Sequence, residues 1–108
     1  MRFPVLAAML FCASAALAQQ APDWRATLEE HYRIDIAFDA CKDVTPSAAD
    51  MLRLEAAIAY VEEKSGLAED ELDEMYGDAE RDAVKLDEFC KRMADAVARV
   101  QNIPKDYR

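Results

Sequence analysis

Residues 69–101 read EDELDEMYGDAERDAVKLDEFCKRMADAVARVQ and hold the most regular pattern in the chain. Apolar side chains recur there in alternating steps of four and three: Leu72, Tyr76, Ala79, Ala83, Leu86, Cys90, Met93, Val97 and Val100. This spacing places one apolar seam along one side of a helix. Acidic residues gather at the start and basic residues toward the end, which suits the helix dipole. The stretch therefore predicts one long helix over residues 69–101, and leaves open whether it kinks at Gly77.

Two shorter helices are predicted before this one. The first covers about residues 23–41, with Asp23 as its N-cap and apolar residues at every fourth position. The second covers about residues 46–64, with Thr45-Pro46 at its start and Gly66 just beyond its end. No segment alternates polar and apolar residues as a strand does. The predicted fold class is therefore all-α, a small arrangement of two shorter helices and one long C-terminal helix.

The N-terminus has the three parts of a secretory signal peptide. Arg2 supplies a positive charge, residues 5–13 are apolar, and Ala16-Leu17-Ala18 forms a small-residue cleavage site. A membrane-spanning helix needs about 20 apolar residues, and this run is shorter. We therefore predict a signal over residues 1–18 with cleavage between Ala18 and Gln19. The mature chain would be periplasmic or secreted, with a disordered start over residues 19–22 and no membrane span.

Signal cleavage would remove Cys12 and leave Cys41 and Cys90 as an even pair. An even number of cysteines in an oxidising compartment favours a disulfide. The two residues are 49 positions apart, and closing a loop of that length stabilises a fold by about 4 kcal/mol. The sequence therefore predicts one disulfide, Cys41–Cys90, in a single helical domain over residues 23–101, followed by a tail over residues 102–108.

The charge of the chain restricts its partners. The full sequence has 13 basic and 22 acidic side chains, and loss of Arg2 with the signal leaves 12 basic ones, for a net charge of −10. Such acidity argues against binding to nucleic acid or to anionic membranes. It permits a basic protein partner.

Two arrangements of the first helix are compatible with the pattern. In a bundle, which we favour, it lies beside the second helix and Trp24 reaches Leu72 and Tyr76. In the alternative, the two short helices lie end to end along the long one and Trp24 falls near Val100. Both leave apolar surface under-covered, which favours a protein partner or a homodimer.

A candidate interaction surface follows from these patterns. An acidic run begins the long helix, and an apolar stripe near its end is expected to overhang the shorter helices. The surface comprises Glu69, Asp70, Asp73, Glu74, Met93, Val97 and Val100.

Residues of the types used in catalysis are sparse. His31 is the one histidine, and the sequence places no second histidine, cysteine or nucleophile beside it. The acidic run from Glu69 does not fit a calcium loop, because Leu72 would occupy the first ligand position if Gly77 were the sixth. We therefore predict no enzyme activity, no cofactor and no metal site.

Three functional hypotheses follow. The leading one is a small exported, acidic, helical protein that acts without catalysis by binding another protein or itself. The second is a periplasmic stress chaperone that exposes apolar stripes as its carboxylates lose charge near pH 4. In size, export and its two separated cysteines the chain resembles the small acid-stress chaperones of the bacterial periplasm, although no motif is shared. The third, an enzyme or metal-binding protein, has the least support.

Overall fold

A computed structural model describes residues 22–108, which form an all-α fold with no strand in that range. The predicted fold class is thereby confirmed, but the number of helices is five rather than three. The predicted signal sequence, its predicted cleavage site and residues 19–21 of the predicted disordered start lie outside the described residues. The helices are α1 (Trp24–Ala40), α2 (Ala48–Ser65), α3 (Glu69–Asp82), α4 (Leu86–Arg92) and α5 (Ala96–Gln101).

Short-range hydrogen bonds set the ends of the first two helices. The Asp23 side chain accepts from the backbone of Ala26 and caps α1. At α2, Ser47 and Asp50 form a reciprocal capping box, so the helix begins at Ala48 and not at Pro46 as predicted. Gly66 ends α2 in the left-handed conformation, with φ of 66°.

The predicted helix over residues 69–101 is in fact three helices, with breaks at residues 83–85 and 93–95. The breaks change which side chains face the core. Phe89, which lies off the predicted seam, is fully buried, whereas Leu86, which lies on it, is 44% exposed. Helix α3 continues through Gly77 without a break. The chain interrupts its helix at two points and thereby brings Phe89 inside.

Helix α1 is the centre of the fold and packs against each of the other four helices. Helix α2 lies beside α1, and α5 contacts both of them. Trp24 at the start of α1 contacts Tyr60 and Tyr107, with ring centroids 6.0 and 5.5 Å away. The favoured side-by-side arrangement of the first two helices is therefore present, but Trp24, which it placed at Leu72 and Tyr76, packs instead on Tyr60 and Tyr107. The side-by-side packing of α1 and α2 creates the surface described below.

The C-terminal residues are part of the domain and not a free tail. Arg53 of α2 donates hydrogen bonds to the backbone carbonyls of Ile103, Pro104 and Tyr107. Ile103 is buried, and the Tyr107 ring stacks on Tyr60 at a centroid distance of 4.9 Å. These contacts extend the domain to the C-terminal segment.

The predicted disulfide is confirmed. The sulfurs of Cys41 and Cys90 are 2.04 Å apart, and the bond joins the end of α1 to α4. An ion-pair cluster lies on the same helices: Asp82 of α3 contacts Arg33 of α1 at 3.2 Å and Arg92 of α4 at 3.0 Å. A covalent and an electrostatic link therefore hold α4 in place. No helix within residues 22–108 is long and apolar enough to cross a membrane.

Candidate functional site

A groove runs along one face of the molecule between α1, α2 and α3. Its first part, about 260 Å³, lies between α1 and α2. Its second part, about 420 Å³, extends onto α3, and the two parts share Asp35 and Ile58. We call this the acidic groove. Its lining residues are Tyr32, Asp35, Phe38, Asp39, Met51, Leu54, Glu55, Ile58, Glu62, Glu69, Leu72, Asp73 and Tyr76.

Helical spacing explains why these side chains share one face. On α3 the lining positions are 69, 72, 73 and 76, which repeat the i, i+3, i+4, i+7 pattern of a single helix face. On α2 they run from Met51 to Glu62, a distance of about 16 Å at the rise of an α-helix. The groove is therefore about three helical turns long.

The floor of the groove is apolar. Leu54 and Tyr32 are buried, while Phe38, Ile58 and Leu72 are partly covered and pack against the core. Met51 is 50% exposed at one end. An apolar centre bordered by a polar rim is the layout found in many protein-binding surfaces.

The rim of the groove is acidic. It carries the six carboxylates of Asp35, Asp39, Glu55, Glu62, Glu69 and Asp73, and no lysine or arginine lines it in the described part of the chain. None of the six takes part in an ion pair within residues 22–108. Asp35/Asp39 and Glu69/Asp73 are like charges one helical turn apart, an arrangement that costs about 0.2–0.5 kcal/mol per pair. The rim therefore concentrates negative charge without a local counter-charge.

Two tyrosines hold rim carboxylates in place. The Tyr32 hydroxyl donates to Glu62 at 2.5 Å, and the Tyr76 hydroxyl donates to Asp35 at 2.9 Å. Burial, and then the hydrogen bond to Asp35, raise the pKa of Tyr76 to about 12. Burial and the Glu62 contact also raise the pKa of Tyr32. Both hydroxyls therefore remain protonated near neutral pH and continue to donate.

The predicted interaction surface divides between three places. Glu69 and Asp73 lie on the acidic groove, whereas Glu74 lines a separate depression and Asp70 is exposed outside both. The apolar half of the prediction is wrong: Met93 and Val100 are buried in the core and Val97 is half-buried. Val97 and Val100 are covered because α5 packs onto both α1 and α2 and does not overhang them.

Sequence analysis missed the groove residues of the first two helices. Asp35, Asp39, Glu55 and Glu62 were not predicted as site residues, and neither was Met51, which begins the apolar stripe of the second helix. The available signal was a set of acidic residues at helical spacing beside that stripe, without a basic partner four positions away. Their convergence depends on the packing of three helices.

His31 lies in the interior and not on the groove. The side chain is 5% exposed, and its Nδ1 has no hydrogen-bond partner among the described residues. Burial lowers its pKa, against an opposing effect of Glu30. No group of three or more His, Cys, Asp and Glu side chains suited to a metal occurs within residues 22–108.

A second, shallower surface lies elsewhere on α2. Leu52 is 66% exposed there, between Ala49 and Ala56, and the rim is basic, with Arg53, Lys105 and Arg108. Met51 and Leu52 are adjacent in sequence but line different surfaces. Changes at Met51 and at Leu52 can therefore be compared as a groove variant and its control on the same helix.

No protein-family model, no curated protein and no solved structure matches this chain.

Proposed function

We propose that this chain is a small exported protein that acts without catalysis by binding another protein through the acidic groove. The observation that carries the proposal is a pair of adjoining depressions with apolar residues at their base and six carboxylates around them that make no ion pair within residues 22–108. Acidic pairs lower stability, and an exposed apolar floor leaves hydrophobic surface in water. A partner that covers both features offsets both costs.

The chemistry of the groove supports binding over catalysis. Its side chains are carboxylates, apolar groups and two tyrosines whose hydroxyls are already bonded to carboxylates. The one histidine of the chain lies in the core. Export is supported by the N-terminal pattern and by the disulfide, a bond typical of oxidising compartments. A mature N-terminus at Gln19 in the exported fraction, read by mass spectrometry, tests that part.

Site-specific crosslinking tests the docking role. A photo-crosslinking residue is placed at position 51 or at position 52 of the full chain, expressed with its signal in the native host. Position 51 lies in the groove and position 52 on the other surface. We expect a discrete adduct with another protein from position 51 and none from position 52. No adduct from position 51, or the same adduct from both positions, contradicts the proposal.

An acid-activated chaperone is a second candidate. The supporting observation is that two groups destabilise the fold when they bind protons as pH falls: the buried His31 imidazole and the partly exposed Asp82 carboxylate. His31 is held neutral by burial, which lowers its pKa, and hydrogen bonding from Arg92, followed by the charges of Arg92 and Arg33, lowers the pKa of Asp82. The disulfide would keep α1 and α4 together while the helices loosen.

Aggregation of an unfolded client at pH 3 and at pH 7 tests this candidate. A chaperone of this kind protects the client at pH 3 and not at pH 7. Lack of protection at pH 3 removes the candidate without affecting the docking proposal.

A further inference from the structure

We infer that the segment received by the acidic groove is a cationic amphipathic helix of about three turns, presented by the partner protein. The inference rests on the docking function proposed above and specifies the chemistry of the partner. Its apolar side chains would cover the floor formed by Phe38, Ile58 and Leu72, and its lysines or arginines would meet the rim carboxylates.

The distribution of positive charge supports a cationic partner. The arginines of α1 and α2 lie away from the groove, and Arg25 lines a separate depression with Glu29 and Glu74. Arg33 contacts Asp82, and Arg53 is bonded to the C-terminal carbonyls. No basic side chain within residues 22–108 lines the groove, so positive charge beside the six rim carboxylates would come from another molecule. Complementary charge both speeds association and selects the partner.

The dimensions of the groove support a helix. Its walls are helix faces, and its length of about 16 Å matches 11 residues of α-helix. An amphipathic helix offers apolar residues at i, i+3, i+4 and i+7, the same spacing as the groove positions on α3. Two or three apolar residues therefore fit along the floor while the flanking cations reach both rims.

A second copy of this chain is a poorer occupant. In a two-fold symmetric dimer the same patch meets itself, so the carboxylates of one groove would face those of the other. Like charges brought together in this way oppose association.

A synthetic peptide tests the inference. The probe is a 15-residue helical peptide with leucine on one face and lysine on the other, and its control carries glutamate in place of lysine. Binding to the mature chain is measured by fluorescence anisotropy. We expect the lysine peptide to bind and the glutamate peptide not to bind.

Charge-matched variants separate groove binding from general attraction to an acidic protein. The groove variant is Glu55→Gln with Asp73→Asn, and the control variant is Glu63→Gln with Asp70→Asn. Both remove one charge from α2 and one from α3, but the control residues are exposed outside the groove. We expect the groove variant to bind the lysine peptide about fivefold more weakly, which corresponds to two exposed ion pairs, and the control variant to bind almost as wild type.

A second matched pair tests the floor. Met51→Gln removes an apolar contact inside the groove, whereas Leu52→Gln removes a neighbouring one outside it. Both residues are at least half exposed, so neither variant should unfold the chain. Weaker peptide binding by Met51→Gln alone supports the inference.

Equal effects within both matched pairs, or binding of the glutamate peptide, overturn the inference. If position 51 nevertheless crosslinks to a partner, the docking function is retained and the partner has a different chemistry. A dimer in sedimentation analysis that Met51→Gln dissociates would also overturn the inference, because a second copy would occupy the groove.

Discussion

Phe89 shows at the level of a single residue how the core differs from the sequence pattern. A continuous heptad seam passes through Leu86 and leaves Phe89 to one side. In the structure Phe89 is fully buried and Leu86 is 44% exposed. Phe89 is the largest fully buried side chain among the described residues, and burial of so large an apolar ring favours the arrangement that encloses it.

Alanine substitution distinguishes the two arrangements. We expect Phe89→Ala to lower the free energy of unfolding by about 3–5 kcal/mol, since it opens a cavity in the core. Leu86→Ala should cost about 1 kcal/mol or less, as is usual at partly exposed positions. Urea denaturation measures both variants. A larger loss for Leu86→Ala would show that the continuous seam forms instead.

His31 gives the chain a pH-dependent stability. Burial lowers the pKa of the folded-state imidazole below its ordinary value of 6.5, so the unfolded chain binds the proton more readily. The free energy of unfolding is therefore unaffected by His31 above pH 6.5. It declines as pH falls below 6.5 toward the lower pKa of the folded state.

His31→Leu should remove this decline, because leucine has a similar volume and no titratable group. His31 is the one histidine in the sequence, so few other groups titrate between pH 7.5 and 5.5. Urea midpoints for wild type should fall across that range, whereas those of His31→Leu should stay level. Parallel slopes for the two proteins would refute this role of His31.

At the scale of helices, end signals were predictable and interior breaks were not. Asp23 and Gly66 have side-chain and backbone chemistry that marks a helix end locally. The break at residues 83–85 contains neither glycine nor proline, and Ala83-Val84-Lys85 gives no local sign of it. Packing of α3 against α1, and of α5 against both α1 and α2, sets that break. The sequence therefore predicted the fold class, while tertiary contacts determine the helix count.

The two glycines have opposite roles, which substitution can demonstrate. A Cβ at Gly77 would contact only Arg81 at an ordinary 3.6 Å, so Gly77→Ala should stabilise the chain by about 1 kcal/mol. Gly66 has φ of 66°, and Gly66→Ala should cost about 1 kcal/mol or more. Thermal unfolding compares the two variants. Destabilisation by Gly77→Ala would indicate that α3 bends there.

For the molecule as a whole, the disulfide is the strongest single constraint that sequence analysis identified. Removal of Cys12 by the predicted signal cleavage would leave one pair, and the bond forms between the two cysteines of that pair. The groove could not be predicted in the same way, because Asp35, Glu55 and Asp73 lie on three helices. Their proximity follows from packing that no local pattern specifies.

Loss of the disulfide should be costly for so small a domain. We expect Cys41→Ser with Cys90→Ser to lower the free energy of unfolding by about 4 kcal/mol, from the loop of 49 residues. The free energy of unfolding of a whole domain is commonly only about 5–15 kcal/mol, so the disulfide would contribute a large share of it. Denaturation of wild type with and without a reducing agent provides the comparison. Equal stability in both conditions would contradict the expected contribution.

The acidic groove separates the surface of the molecule into regions of different charge. The groove is lined by carboxylates, while the Leu52 surface of the same helix is bordered by Arg53, Lys105 and Arg108. A cationic helix should therefore bind to one face and avoid the other.

Backbone amide shifts of the labelled mature chain, recorded during titration with the lysine–leucine peptide, test this account most directly. The account predicts that shifts cluster at groove positions such as Asp39, Ile58 and Asp73. Amides of Lys105 and Arg108 on the Leu52 surface, and of the exposed acidic residue Asp87 on α4, should change little. Shifts centred on the Leu52 surface, or spread evenly over all acidic positions, would contradict it.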